Sequence, residues 1–172
     1  MKYKSLVLTV LLAAFAGSAL AQNKISGSSK CGKPDTSQSI EVGDQAGHML
    51  IIEKSSCPWS VPFEMAGLKT TTSTVAETVD VTGAKFQDRG YVVISMDNGD
   101  KAYIRFQGMG NTVKEGALTG GGTWSFTSGT GKLKGLKGKG TYKASGAPDG
   151  AGEFQTEGEY SLPEASATAK KK

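Results

Sequence analysis

The chain is poor in the residues from which metal and redox centres are built. Its 172 residues include one His and two Cys, too few for a zinc finger, a di-metal site or an iron–sulfur centre. Proline is scarce at five, and the 24 glycines follow no Gly-X-Y period, which excludes a collagen-like chain. No serine sits in a G-x-S-x-G, so a hydrolase elbow is unsupported. Long amphipathic windows are missing too, because Gly or Thr interrupts each candidate helical period. These absences predict no metal and no cofactor.

What is present begins with Met1–Ala21, MKYKSLVLTVLLAAFAGSALA. Lys2 and Lys4 precede an apolar run from Leu6 to Ala16, and Ala19-Leu20-Ala21 has the small-x-small form of a cleavage site. This pattern predicts a secretory signal peptide, 1–21, cut before Gln22. The run is well short of the ~20 residues a membrane span needs, so no span is expected. Cys31 lies too far beyond Ala21 to serve as a lipid-attachment site. Loss of the leader leaves 18 basic and 16 acidic residues, and without the tail 163–172 the stretch Gln22–Leu162 balances at 15 and 15. The net charge of +4 therefore resides at the two ends, and specific nucleic-acid binding loses its compositional support. The protein is expected in the periplasm or secreted. In an oxidising compartment Cys31 and Cys57 pair, and closing that loop contributes roughly 3.5 kcal/mol in the chain-entropy picture.

The rest reads as strands. Short β-rich runs cover Ser39–Val42, His48–Lys54, Trp59–Met65, Thr72–Thr82, Gly90–Met96, Lys101–Gln107, Thr123–Thr127, Gly138–Ala144 and Gly152–Leu162. Gly43-Asp44, Ser55-Ser56, Ala66-Gly67, Asn98-Gly99, Gly120-Gly121-Gly122 and Pro148-Asp149-Gly150 separate them as turns. This predicts an all-β fold, a single antiparallel β-barrel of about eight strands. The chain divides into a signal peptide 1–21, an N-terminal lead-in 22–37, the barrel 38–162 and a disordered, Lys-ending tail 163–172. One register follows from parity. A three-residue loop, Asp97-Asn98-Gly99, pairs Ile94 with Ala102 and gathers Val92, Ile94, Met96, Ala102, Ile104 and Phe106 on one face. A two-residue loop scatters them, because a one-residue slip swaps faces. In the last hairpin, Lys139, Thr141 and Lys143 are expected beside Glu153, Gln155, Glu157 and Glu159, as a solvated and neutralised exterior.

The run Gly129–Lys143, GTGKLKGLKGKGTYK, invites a phosphate-binding reading that fails at its defining positions. For a P-loop, Phe126 stands where the first Gly belongs and Leu133 follows Gly131-Lys132. For a dinucleotide fingerprint, Lys134 stands where a Gly is required. The structural reading is a tight turn at Gly129–Gly131, Leu133 and Leu136 tucked inward across an irregularity near Gly135, and Gly138 and Gly140 lying flat beneath a large side chain. Trp124-Ser-Phe126 followed by this run resembles the C-terminal part of allene oxide cyclase-like, or calycin-like, small β-barrels, over about 40 residues from Gly122 to Tyr160. The resemblance implies an eight-stranded barrel with a central cavity, often assembled as an oligomer. It carries no catalytic residue onto this chain, and the N-terminal half with its two cysteines departs from the plant enzymes.

Few residues are candidates for chemistry. His48 opens an apolar strand and reads as a strand-end residue. Asp97 and Asp100 flank a turn, where acidic residues make local hydrogen bonds. Glu77 is the exception, because it shares the face of Val75, Val79 and Val81. If that face lines the barrel, its pKa is raised, as for a ligand anchor or general acid. Arg105 falls on the face of Tyr91, Val93 and Tyr103, opposite the aliphatic one. The expectation is a non-catalytic exported barrel that binds a small apolar ligand or a partner protein. Its ligand-binding set is Glu77, Trp124, Phe126, Tyr142 and Tyr160, with Phe154 beside them. The alternatives are a cyclase or isomerase that confines a flexible apolar substrate, and a homo-oligomeric surface protein using Tyr91 and Tyr103.

Overall fold

Alternation of inward and outward side chains persists along nearly the whole chain in the computed structural model, which describes residues 22–113 and 116–163. Ten strands form: β1 (Asn23–Cys31), β2 (Thr36–Glu41), β3 (His48–Val61), β4 (Glu64–Met65), β5 (Leu68–Thr82), β6 (Lys85–Met96), β7 (Lys101–Thr112), β8 (Leu118–Gly129), β9 (Lys137–Gly146) and β10 (Gly152–Ser161). Eight of them close into an antiparallel barrel in the order β3-β1-β10-β9-β8-β7-β6-β5, with β5 returning to β3. β2 lies on β3 outside the ring, and β4 pairs only with β5. The expected signal peptide and all of the tail beyond Pro163 lie outside the described residues.

The hairpin register read from parity is the observed one. Ile94 pairs with Ala102, Met96 N–H donates to the Asp100 carbonyl at 2.9 Å, and Gly99 takes φ 88°, where a side chain is disfavoured. Ile94, Met96, Ala102, Ile104 and Phe106 are buried and Val92 is half-buried. Lys139 stands across from Glu159 in the β9–β10 hairpin, on the exterior as expected.

Two expected turns are corrected. Ser55-Ser56 lies inside β3, paired with Val75 and Thr74 of β5, and Gly120–Gly122 inside β8, paired with β7 and β9, because local turn preference yields to the ladder. The structure also carries the barrel into the stretch read as a lead-in, since β1 pairs with β10 from Asn23 to Cys31.

One end of the barrel is plugged. Phe63, Met65 and Leu68, around the tight Ala66-Gly67 turn, pack there with Leu133 and Leu136. The Tyr160 hydroxyl accepts the Ala66 N–H at 3.0 Å. Leu133 and Leu136 reach the core from opposite parities because a 3-10 turn, Gly131–Leu133, and Gly135 at φ 81° interrupt the strand between them. That turn docks on the Asp97–Gly99 hairpin, where the Asp100 carboxylate accepts the Lys132 N–H at 3.0 Å. Trp124 lies flat on Gly140 and Gly158, where a Cβ on either would collide with its ring.

The seam between β1 and β3 is short. Ser28 pairs with Val61 and Ser29 with Trp59, after which the Cys31–Cys57 disulfide, Cα–Cα 4.2 Å, replaces the ladder. Replacing both cysteines with alanine is expected to lower unfolding free energy by about 3 kcal/mol, measured by denaturant titration. Amide exchange at Ser28 and Ser29 should accelerate more than at Ile104, which lies on the far wall.

Candidate functional site

Opposite the plug, three carboxylates belong to the inward parity. Glu77 on β5 stands across from Glu53 on β3 and from Gly90 on β6. The absence of a side chain on Gly90 leaves the wall beside Glu77 thin, since a Cβ there would meet the Glu77 backbone. Asp88 lies two residues along β6, on the same face. Burial pushes the Glu77 carboxyl up to about 7, and the charges of Asp88 and Glu53 add to the effect. Among the described residues no basic side chain offsets them; Arg105 is exposed on the outer face.

Asp88 is held from across the barrel. The Tyr142 hydroxyl donates to its Oδ2 at 2.6 Å, whereas its Oδ1 is buried without a partner. Desolvation raises the Asp88 pKa, and the hydrogen bond from Tyr142 opposes that rise. The Tyr142 phenol is pushed well up, first by burial and then by Asp88. Tyr142 reaches Asp88 past Gly108, where a Cβ would collide with both groups.

Beneath this layer the barrel is nearly full. A cavity of about 70 Å³ is lined by Trp59, Phe106, Trp124, Tyr142 and Phe154, with Ser29 and Ser73 among its few polar walls. The indole N–H of Trp59 is buried there without a partner. Phe106 and Phe154 pack against Tyr142 at ring separations of 5.8 and 6.4 Å.

The residues expected to form one ligand site are therefore distributed over three levels. Glu77 points inward at the level of the acids, and Trp124 and Tyr142 line the cavity. Phe126 meets Trp124 edge-on at 5.0 Å without lining the cavity, and Tyr160 belongs to the plug. Asp88 and Glu53 were not anticipated. A signal for each exists in the parity: Asp88 matches Val92, Ile94 and Met96, and Glu53 matches Cys57 and Trp59. Ending the first strand at Gly90 and the second at Lys54 hid both.

His48 is held on the outer face between Asp44, at 2.6 Å from Nδ1, and Asp80, at 3.0 Å from Nε2. The hydrogen bond that His48 makes to the Asp44 carboxylate raises the imidazole pKa, and the arrangement fastens the β2–β3 turn to β5. Among the described residues, no group of three or more His, Cys, Asp or Glu is placed to hold a metal ion, and no helix is long and apolar enough to cross a membrane.

The larger hollows are on the outside. One, of about 1040 Å³, spreads over β7 to β10 and β1 and is lined by Lys24, Arg105, Lys139, Glu157 and Glu159. Its alternating charges make it a solvated wall. The second, of about 700 Å³, crosses β2, β3, β5, β6, β7 and β8. It exposes Ile40 (64%), Ile52 (61%) and Met109 (68%), with Leu50 beside them. Cross-strand pairing builds this row, because Ile40 stands opposite Leu50 and Gln38 opposite Ile52.

No protein-family model matches the sequence, and no curated protein matches it. The closed eight-stranded antiparallel barrel agrees with a calycin-like small barrel.

The acid layer makes stability depend on pH with a definite sign. Glu77 has a folded pKa of about 7 against an ordinary 4.5, so its neutral form is the one the fold favours. Its contribution is intact below pH 4.5 and is lost as the pH rises through 7, by as much as about 3 kcal/mol. Glu77→Gln should match the wild type in denaturant titrations near pH 4.5 and exceed it at pH 8. Equal destabilisation at both pH values would mean that the carboxylate is held by a structural partner.

Proposed function

We propose that this is an exported, non-catalytic binding protein that engages a partner polypeptide on the outside of its barrel. One contrast carries the reading: the interior holds about 70 Å³, whereas the outer hollow with Ile40, Leu50, Ile52 and Met109 holds about 700 Å³. Pockets for small molecules usually enclose about 300–1,000 Å³, and even a dry cavity of about 150 Å³ takes only a benzene-sized guest. The interior therefore gives little support to a small apolar ligand and less to a cyclase or isomerase confining a flexible chain. The disulfide agrees with an oxidising compartment.

Beside the apolar row, β2 offers a sheet edge. All six of its residues are exposed, and among the described residues β3 is its only neighbour in the sheet. A free edge with an apolar row beside it suits an extended polypeptide that adds as a further strand: the backbone supplies affinity and alternate side chains supply selectivity.

The test is selection from a displayed library of extended peptides, followed by titration of the selected sequences. Ile40→Lys and Ile52→Lys are each expected to weaken binding by about tenfold or more, equivalent to about 1.4 kcal/mol, with the thermal transition unchanged. Native mass spectrometry showing a small organic molecule retained in the barrel, with no peptide affinity on the β2 side, would overturn the proposal.

A further inference from the structure

Resting on that reading of the outer surface, we infer that the occupant of the β2 edge is β2 of a second copy of this chain, paired antiparallel about a two-fold axis at Ile40. Backbone direction comes first. Val42 N–H donates to the His48 carbonyl at 3.0 Å, so Gln38, Ile40 and Val42 aim their backbone groups at β3. Ser37, Ser39 and Glu41, which alternate with them, aim theirs away from the barrel. A strand that presents such an edge is also the strand that can fill it, and a two-fold axis closes the assembly at two copies.

Most of the protections that usually blunt a free edge are missing. β2 contains no Lys and no Pro, its one charge, Glu41, stands at its last position, and its pairing with β3 runs from Thr36 to Glu41 without a bulge. Natural edges that remain unpaired commonly carry such blocks.

Register separates the possible pairings. A two-fold axis through Gln38 sets Ile40 opposite Thr36 of the other copy, which ends the apolar row there. An axis through Ser39 sets Ile40 against Gln38. An axis through Ile40 sets Ile40 against Ile40, Val42 against Gln38 and Glu41 against Ser39. Only the last continues the apolar row, as Leu50–Ile40–Ile40–Leu50 across both copies, and it keeps Glu41 away from acids. Because Ile40 aims its backbone at β3, the two Ile40 residues form a non-hydrogen-bonded pair, with Cα atoms about 4.5 Å apart.

Sedimentation velocity of the protein as its host produces it, from 1 to about 100 µM, is the direct test. The inference expects a species of twice the monomer mass. Ser39→Pro removes an outward N–H while leaving the β2–β3 hydrogen bonds intact, and should raise the dimer dissociation constant at least tenfold, as should Ile40→Lys. Ile40→Cys should cross-link copies through a new disulfide under mild oxidation, because opposed Cα atoms at that separation lie within bridging range. Gln38→Cys should not, because it faces Val42. A monomer throughout this range, or a dimer that survives both Ser39→Pro and Ile40→Lys with the barrel folded, would overturn the inference. If that monomer still binds the selected peptides, the proposed function stands without it; if it binds none, both readings fall.

Discussion

The interior volume is decided where aromatic rings lie directly on glycine backbone. Trp124 covers Gly140 and Gly158, Phe86 covers Gly110, and Tyr142 crosses Gly108. A barrel of eight strands has a cross-section only just wide enough for side chains to fill. Walls stripped of Cβ atoms let three large rings lie across that section instead of standing out from it. The consequence reaches function, because rings in those positions occupy the space that a ligand would take. A chain with about one glycine in seven would enclose more volume if its rings pointed outward. Here they point in, and the space that remains is about 70 Å³.

The same packing explains how acidic groups survive inside. Glu77 and Asp88 lie on the open side of the rings, opposite the plug, and differ in their partners. Asp88 accepts from Tyr142, so the ring that crosses Gly108 also supplies a donor and limits the rise in the Asp88 pKa. Glu77 has no such donor, which leaves desolvation uncompensated and holds its carboxyl near 7. A fold that keeps a carboxyl neutral loses stability whenever the pH forces the charge. This expense fits a layer close to the barrel mouth, where water can reach part of the group.

Much of this was legible in the residues, and what was hidden has a physical cause. The β6–β7 register could be read because six apolar residues share one parity across a turn, and only one register collects them. The irregularity near Gly135 could be read because Leu133 and Leu136 conflict in parity unless the strand breaks between them, and Gly135 takes φ 81° there. Ser55-Ser56 and Gly120–Gly122 misled because Ser and Gly favour turns locally, whereas pairing with β5 in the first case and with β7 and β9 in the second holds them extended. Asp88 was lost because it lies two residues before the strand read from Gly90, and Glu53 because the parity that marks it as inward shows only at Cys57 and Trp59, past the strand end read at Lys54. β1 was obscured by its inward residues, Ile25, Gly27, Ser29 and Cys31, which are mostly small: the space they face is already claimed by Trp59 and Phe63, the side chains a Cβ on Gly27 would meet.

The free edge of β2 follows from where the neighbouring hairpin turns. β1 and β2 run along the same side of β3, Ser28–Ser29 against Trp59–Val61 and Thr36–Glu41 against Met49–Lys54, so they amount to one strand interrupted at the disulfide. β1 is covered on its far side by β10 up to Cys31, which pairs with Gly152. There β10 ends. The chain reverses through Ala147–Ala151, with Ala147 N–H donating to the Ala151 carbonyl at 2.7 Å, and Lys33 meets Asp149 of that turn at 3.5 Å. A β10 longer by six residues would have run alongside β2 and paired with it. Because it turns back instead, β2 projects past the last strand able to cover it, with the apolar row of β3 at its side. The edge is thus a product of strand stagger around a closed barrel, and the hydrogen bonds it leaves unmade must go to water or to another chain.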